Sequence, residues 1–257
     1  NSELFDVFKS NKRILLFLIK EKMLVFDNYI ARNIITTSKY ISAKYPQYFS
    51  PELRPFLKEE WIINNNIDKQ LIEEINRELP ADFEDNREIG ENHNYICRMI
   101  QKDLVQEFDE YVNKTNCSLK SAIKPSIYET NNFLLKKYSS NEMSLIEYAA
   151  FFGSIQIFQY LRLKGVDLTP SLWPCAVHSN NPELIHILEE NHVELEGKSC
   201  FDEAVKCHHN AVAAYFQENY LNGENDNLNG VLSLKNYNFK FMDINLFDKT
   251  YFIDLCK

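Results

Sequence analysis

Glycine is scarce in this chain: there are six in 257 residues, and no two lie closer than seven positions. That spacing excludes the glycine-rich loop with which P-loop and dinucleotide enzymes cradle phosphate. Long apolar runs are missing too. The longest covers residues 14–19, six residues against the roughly 20 that cross a bilayer. It follows charged residues, ends at Lys20-Glu21-Lys22 and lacks a small-residue cleavage pattern, so it is no secretory signal. These absences predict an intracellular, cytoplasmic protein without a membrane segment. Cations are outnumbered, 28 Lys and Arg against 37 Asp and Glu, and a net charge of −9 opposes a polyphosphate partner. No nucleic-acid partner is expected. Lys9, Lys12, Arg13, Lys20 and Lys22 cluster near the start, but Glu3, Asp6 and Glu21 are interleaved with them, which predicts a solvated helix face. The six cysteines are scattered, and no Cys-x-x-Cys or His-x-x-x-His pair announces a metal. Reduced thiols and no metal or cofactor are expected.

What the chain does contain is a repeat. With Ser144, Ser171 and Ser199 in register, at spacings of 27 and then 28, Leu145 meets Leu172 and Cys200, and Ile146 meets Trp173 and Phe201. In the same frame Ala149 meets Ala176 and Ala204. Ile157, Leu184 and Val212 align next, followed by Leu161, Leu188 and Phe216. Each unit holds a short apolar segment, a polar break and a second segment with apolar residues at helical spacing, which is a helix, a tight turn and a helix. Pro182 suits the first turn of a helix, and Gly165 suits a left-handed residue just past a helix end. The recurring alanine lets first helices of adjacent units approach closely. One such pair cannot hide its apolar side alone, so stacking is expected to stabilise it.

The edges are looser. An offset of 49 puts Ile96 on Leu145, Ile100 on Ala149, Phe108 on Ile157, Tyr111 on Tyr160 and Val112 on Leu161, predicting an earlier unit followed by an insertion at about 113–143. Residues 248–256 resemble the opening of a further unit after a second insertion at about 222–247, so the last repeat is expected to be truncated and the parent chain to continue. Residues 1–92 are expected to form an N-terminal helical region, as degenerate repeats or a cap. Within it LFDVFKSNKRILLFLIKEK has a two-segment rhythm around Ser10-Asn11, Pro46, Pro51 and Pro55 interrupt 40–61, and the polar stretch 80–93 is expected to be a loop.

Ser144 to Gly153, SLIEYAAFFG, resembles the ankyrin-repeat opening Thr-Pro-Leu-His-x-Ala-x-x-x-Gly. Residues 154–162 are similar to the helix that follows it, and 188–194, LEENHVE, to its ending. More narrowly, residues 96–112, 123–135 (IKPSIYETNNFLL), SLIEYAAFFGSIQIF and AVKCHHNAVAAYF resemble a large group of divergent ankyrin-repeat proteins expanded in parasitic protists. The resemblance covers 93–257 and extends to 1–92. Glu147, Pro174 and Asp202 stand where the ankyrin histidine would be, and the spacing falls short of the roughly 33 residues of a standard unit. The implied fold is all-α, an ankyrin-like helix-turn-helix solenoid with shortened or irregular hairpin loops and little strand. The implied function is a non-catalytic scaffold that binds another protein through its concave face and loops.

Residues three and four apart share a helical face. With Ile146 and Ala149 inward, Glu147 and Phe151 should face outward, and their equivalents are Pro174 and His178, then Asp202 and Lys206. These six are the expected partner-binding positions, with Phe151 as the main anchor. Trp173 is expected in the core. Cys207-His208-His209, Cys200 and Cys175-x-x-His178 carry ligand-like residue types, but the repeat frame puts Cys200 in the core and both histidines of 208–209 in a turn. The alternatives are a small helical enzyme using cysteine or zinc chemistry, and a binding domain of a larger protein.

Overall fold

A computed structural model describes residues 1–37, 44–140, 143–221 and 227–241. The regular elements of these residues are all helices, with no β-strand among them. No helix among them is long and apolar enough to cross a membrane. The chain divides into two compact units, residues 1–98 with 122–143, and 99–121 with 144–257. The division expected at 92/93 is therefore drawn differently, because 122–143, read from the sequence as an insertion, packs with the N-terminal residues.

In the first unit α1 (Ser2–Phe8) and α2 (Lys12–Lys20) form the expected pair, and Asn11 caps α2 by accepting the Ile14 N–H at 3.0 Å. After α3 (Asn28–Thr37) come α4 (Tyr45–Tyr48), α5 (Ser50–Leu53) and a 3-10 turn at Arg54–Phe56. Pro46, Pro51 and Pro55 each sit in the first turn of one of these three, where a missing N–H costs nothing. α6 (Glu59–Asn65) and α7 (Lys69–Asn76) follow, with Asp68 capping α7.

The stretch expected to loop is instead α8 (Phe83–Ile89), ended by Gly90 at φ 73°. Its acidic residues Glu84 and Asp85 occupy the first turn, where a helix N-terminus favours negative charge. Its Arg87, 2% exposed, forks onto Glu52 at 2.6 and 3.0 Å and donates to the Tyr48 carbonyl at 3.1 Å. α9 (Tyr95–Gln101) carries the chain to the second unit, and α11 (Asn132–Ser140) belongs to the first. The core gathers Phe5, Leu15, Leu16, Ile30, Ile34, Tyr45, Tyr48, Phe49, Leu53 and Ile75. Lys12 departs from the expected solvated face. It is fully buried, its ammonium over the Tyr45 and Tyr48 rings at 5.4 and 5.3 Å, and it donates to the Glu129 carbonyl at 3.2 Å.

The second unit holds α10 (Val105–Thr115) and three consecutive hairpins: α12 (Leu145–Phe152) with α13 (Ile155–Leu163), α14 (Leu172–Ser179) with α15 (Pro182–Glu190), and α16 (Gly197–Lys206) with α17 (Asn210–Tyr220). α12 packs on α14 and α14 on α16. Every apolar position aligned at 27 and 28 is buried in all three hairpins, and Ala149, Ala176 and Ala204 are each 0% exposed. Trp173 is in the core, 2% exposed, with its ring edge-on to Phe216. Burying each large apolar side chain contributes roughly 1.5–3 kcal/mol, so the shared frame dominates the energetics of this unit. The connections at 164–171 and 191–196 carry no strand, as the short spacing predicts.

The turns keep a stricter register than the side chains. A left-handed residue sits between the two helices of each hairpin, at Gly153 (φ 70°), Asn180 (φ 53°) and His208 (φ 59°). Gly165 (φ 82°) and His192 (φ 51°) end the second helices as the 27-residue spacing requires. The same turn recurs at Asp103 (φ 52°), where the Leu104 N–H reaches Met99 O as the Ser154 N–H reaches Ala149 O. Met99, not Ile100, is thus the counterpart of Ala149.

At the other end, part of the expected insertion at 222–247 is α18 (Asn227–Lys235), which packs on α16 and ends in a left-handed Tyr237 (φ 55°). The Asn238 N–H bonds Ser233 O as the His209 N–H bonds Ala204 O, so fully buried Ser233 takes the seam alanine's place. The next unit therefore opens with α18. The opening expected at 248–256 lies outside the described residues.

Candidate functional site

The candidate site lies along α12, α14 and α16, the first helices of the three hairpins. Phe151 and His178, equivalent in register, stack with ring centroids 5.0 Å apart and planes tilted by 35°. His178 Nε2–H donates to Glu203 Oε1 at 2.8 Å, and Lys206 Nζ donates to Glu203 Oε2 at 3.1 Å. Cys207 Sγ lies 3.5 Å from His178 Nδ1 and 3.7 Å from Nε2. Register positions 151, 178 and 206 therefore come together as one row, with Glu203 as the link between the last two.

Local sequence explains the placement. Glu203 and Cys207 are four residues apart at the end of α16, so their side chains rise on one face. His178 sits in the last turn of α14, and its backbone carbonyl accepts His209 Nε2–H at 3.1 Å from the following hairpin's turn. Glycine at 153 holds φ 70°, a left-handed conformation that side-chain-bearing residues rarely adopt.

The other expected positions fare differently. Glu147 is 7% exposed and does not face outward: its carboxylate closes a capping box, accepting Ser144 N–H and Oγ–H, each at 2.8 Å. Glu147 thus fastens the start of α12. Pro174 is half-buried within the first turn of α14, and Asp202, also half-buried, pairs with Lys198 at 3.0 Å. Lys206 is exposed and Phe151 half-buried.

The electrostatics set what this row does chemically. Burial pushes the Glu203 carboxyl up, but hydrogen bonds from His178 and Lys206 outweigh it and hold the group below its ordinary range. The Cys207 thiol is pushed up to about 12, first by burial and then by the Glu203 charge. A thiol so firmly protonated is a poor nucleophile near neutral pH. Its near-equal distances to both ring nitrogens also differ from the single in-line hydrogen bond that a general base makes.

Of the ligand-type residues that the sequence offers, Cys207 and His178 come together and the others do not. Cys175 is fully buried and donates to its own helix at Ser171 O, 3.6 Å away. Cys200 is core, and His208 Nε2–H donates to Asn236 O at 2.9 Å from its turn. The convergent set joins His178 and Cys207 of successive repeats through Glu203, and only the register at 27 and 28 combined with the i, i+4 rule would have found Glu203. A second concave feature, about 560 Å³ and mostly apolar, runs between α15 and α17 and is lined by Ile185, Ala211, Val212 and Tyr215. It lies along the second helices, away from the row. No protein-family model, curated protein or solved structure matches this chain.

Proposed function

We propose that the chain is a non-catalytic helical-repeat protein of ankyrin-like build that binds another protein across its row of first helices, with Phe151 and Lys206 as the principal contacts. One observation carries the reading: equivalent positions of three successive helices carry an aromatic ring, an imidazole and an ammonium, and these adjoin in space over a buried frame that repeats. Varied side chains on a constant scaffold suit recognition, and aromatic groups are favoured interface anchors. Glu147 has no part in this surface, and Pro174 and Asp202 flank it. The net charge of −9 supports a protein rather than a polyphosphate partner. Placement in a reducing, cytoplasmic setting belongs to the same proposal and is supported by the scatter of the six cysteines without paired spacing.

The test is affinity purification from the source cell with the wild-type chain and a Phe151→Ala/Lys206→Glu variant as baits, their folding matched by circular dichroism. Specific partners should be recovered at least tenfold less with the variant. Equal recovery overturns the proposed face.

A further inference from the structure

We propose that His178, Glu203 and Cys207 form a binding site for a zinc-class divalent cation, which staples α14 to α16 with a water completing a tetrahedron. Among the described residues no other group of three or more His, Cys, Asp or Glu side chains offers ligand atoms this close, all within 4.8 Å of one another. Zinc bonds of about 2.0 Å to nitrogen and oxygen and about 2.3 Å to sulfur place tetrahedral ligands roughly 3.3–3.5 Å apart. His178 Nε2 lies 2.8 Å from Glu203 Oε1 and 3.7 Å from Cys207 Sγ, so these two ligand pairs each have to move by about half an ångström or less once Nε2 gives up its proton to the other ring nitrogen, and the third pair lies within 4.8 Å. Two ligands one turn apart at the end of α16 and a third from the last turn of the neighbouring α14 face one another.

The surroundings suit an ion. Lys206 holds Glu203 Oε2, which leaves Oε1 directed at the cluster. The bond from His209 to the His178 carbonyl fixes the end of α14 against the turn that follows Cys207. Phe151 walls the imidazole on one side. Thiolate, carboxylate and neutral imidazole sum to a charge of −2, which a divalent cation cancels, so the loaded site is neutral and its partial burial is cheap. A thiolate with an imidazole selects zinc-class metals over magnesium or calcium, whose ligands are oxygens. Loading displaces the thiol proton, so each ion bound releases one proton.

The experiment adds Co²⁺ and then Zn²⁺ to the metal-free full chain. Expected are one equivalent bound, a thiolate-to-cobalt charge-transfer band that zinc abolishes, one proton released per ion, and a raised melting temperature. Cys207→Ser should remove the band, and His178→Gln should weaken binding at least tenfold, while Cys117→Ser leaves both unchanged. Absence of the band in the wild type, or its persistence in Cys207→Ser, overturns the proposal. Neither result bears on the partner-binding reading, which the bait comparison decides separately.

Discussion

Lys12 is held where water does not reach, and its chemistry sets a pH dependence. Burial lowers its pKa from 10.5 to about 8, with Glu129 opposing the shift and Lys44 adding to it. Below pH 8 the ammonium is charged in both states and the folded state bears the cost of burying it. Between pH 8 and 10.5 the folded protein has lost the proton that the unfolded chain still holds, so stability rises with pH across that window. The shift corresponds to roughly 3 kcal/mol. Urea unfolding of wild type and Lys12→Met should therefore show the wild type gaining on the variant between pH 8 and 10.5; parallel curves would remove the buried charge from the account.

Glu129 behaves in the opposite sense. Burial raises its carboxyl from 4.5 to about 7, so its contribution is present below pH 4.5 and lost as pH rises through 7. Glu129→Gln should abolish that loss in the same assay. Neither residue was legible in the sequence. The cage around Lys12 comes from Tyr45, Tyr48 and the 127–129 backbone, far along the chain, and local charge alternation carries no trace of it.

The helices are punctuated by left-handed residues, and the identities found there give opposite predictions at equivalent positions. Gly165 adopts φ 82° with open space around a would-be Cβ, so Gly165→Ala should cost about 1 kcal/mol through backbone strain alone. His192 holds φ 51° one repeat later, and His192→Gly should stabilise by up to about 1 kcal/mol. Thermal melts of the two variants compare them directly; matching signs would contradict the assignment of both as the same helix stop. Here the sequence was informative, because the spacing of 27 between these residues reflects a turn that backbone geometry enforces. It misled where side chains drift from the turn. The hydrophobic positions of α10 follow an offset of 49, whereas the Asp103 turn follows 50. Serine at 233 replaces the alanine that marks the seam elsewhere, which hid α18. The candidate site was half legible, since repeat register supplied Phe151, His178 and Lys206. Cys207 was named for its residue type, but Glu203 stayed hidden because its role depends on a side chain from the preceding repeat.

At the scale of the second unit, each hairpin covers an apolar flank of its neighbour, so weakening one should loosen the hairpins beside it. Leu184, fully buried in α15, offers a clean perturbation, because Leu→Ala at such a site costs roughly 2–5 kcal/mol. Native-state hydrogen exchange of wild type and Leu184→Ala measures the consequence helix by helix. The account predicts lost protection in α14 and α15 together with α12, α13, α16 and α17; loss confined to α14 and α15 would contradict it.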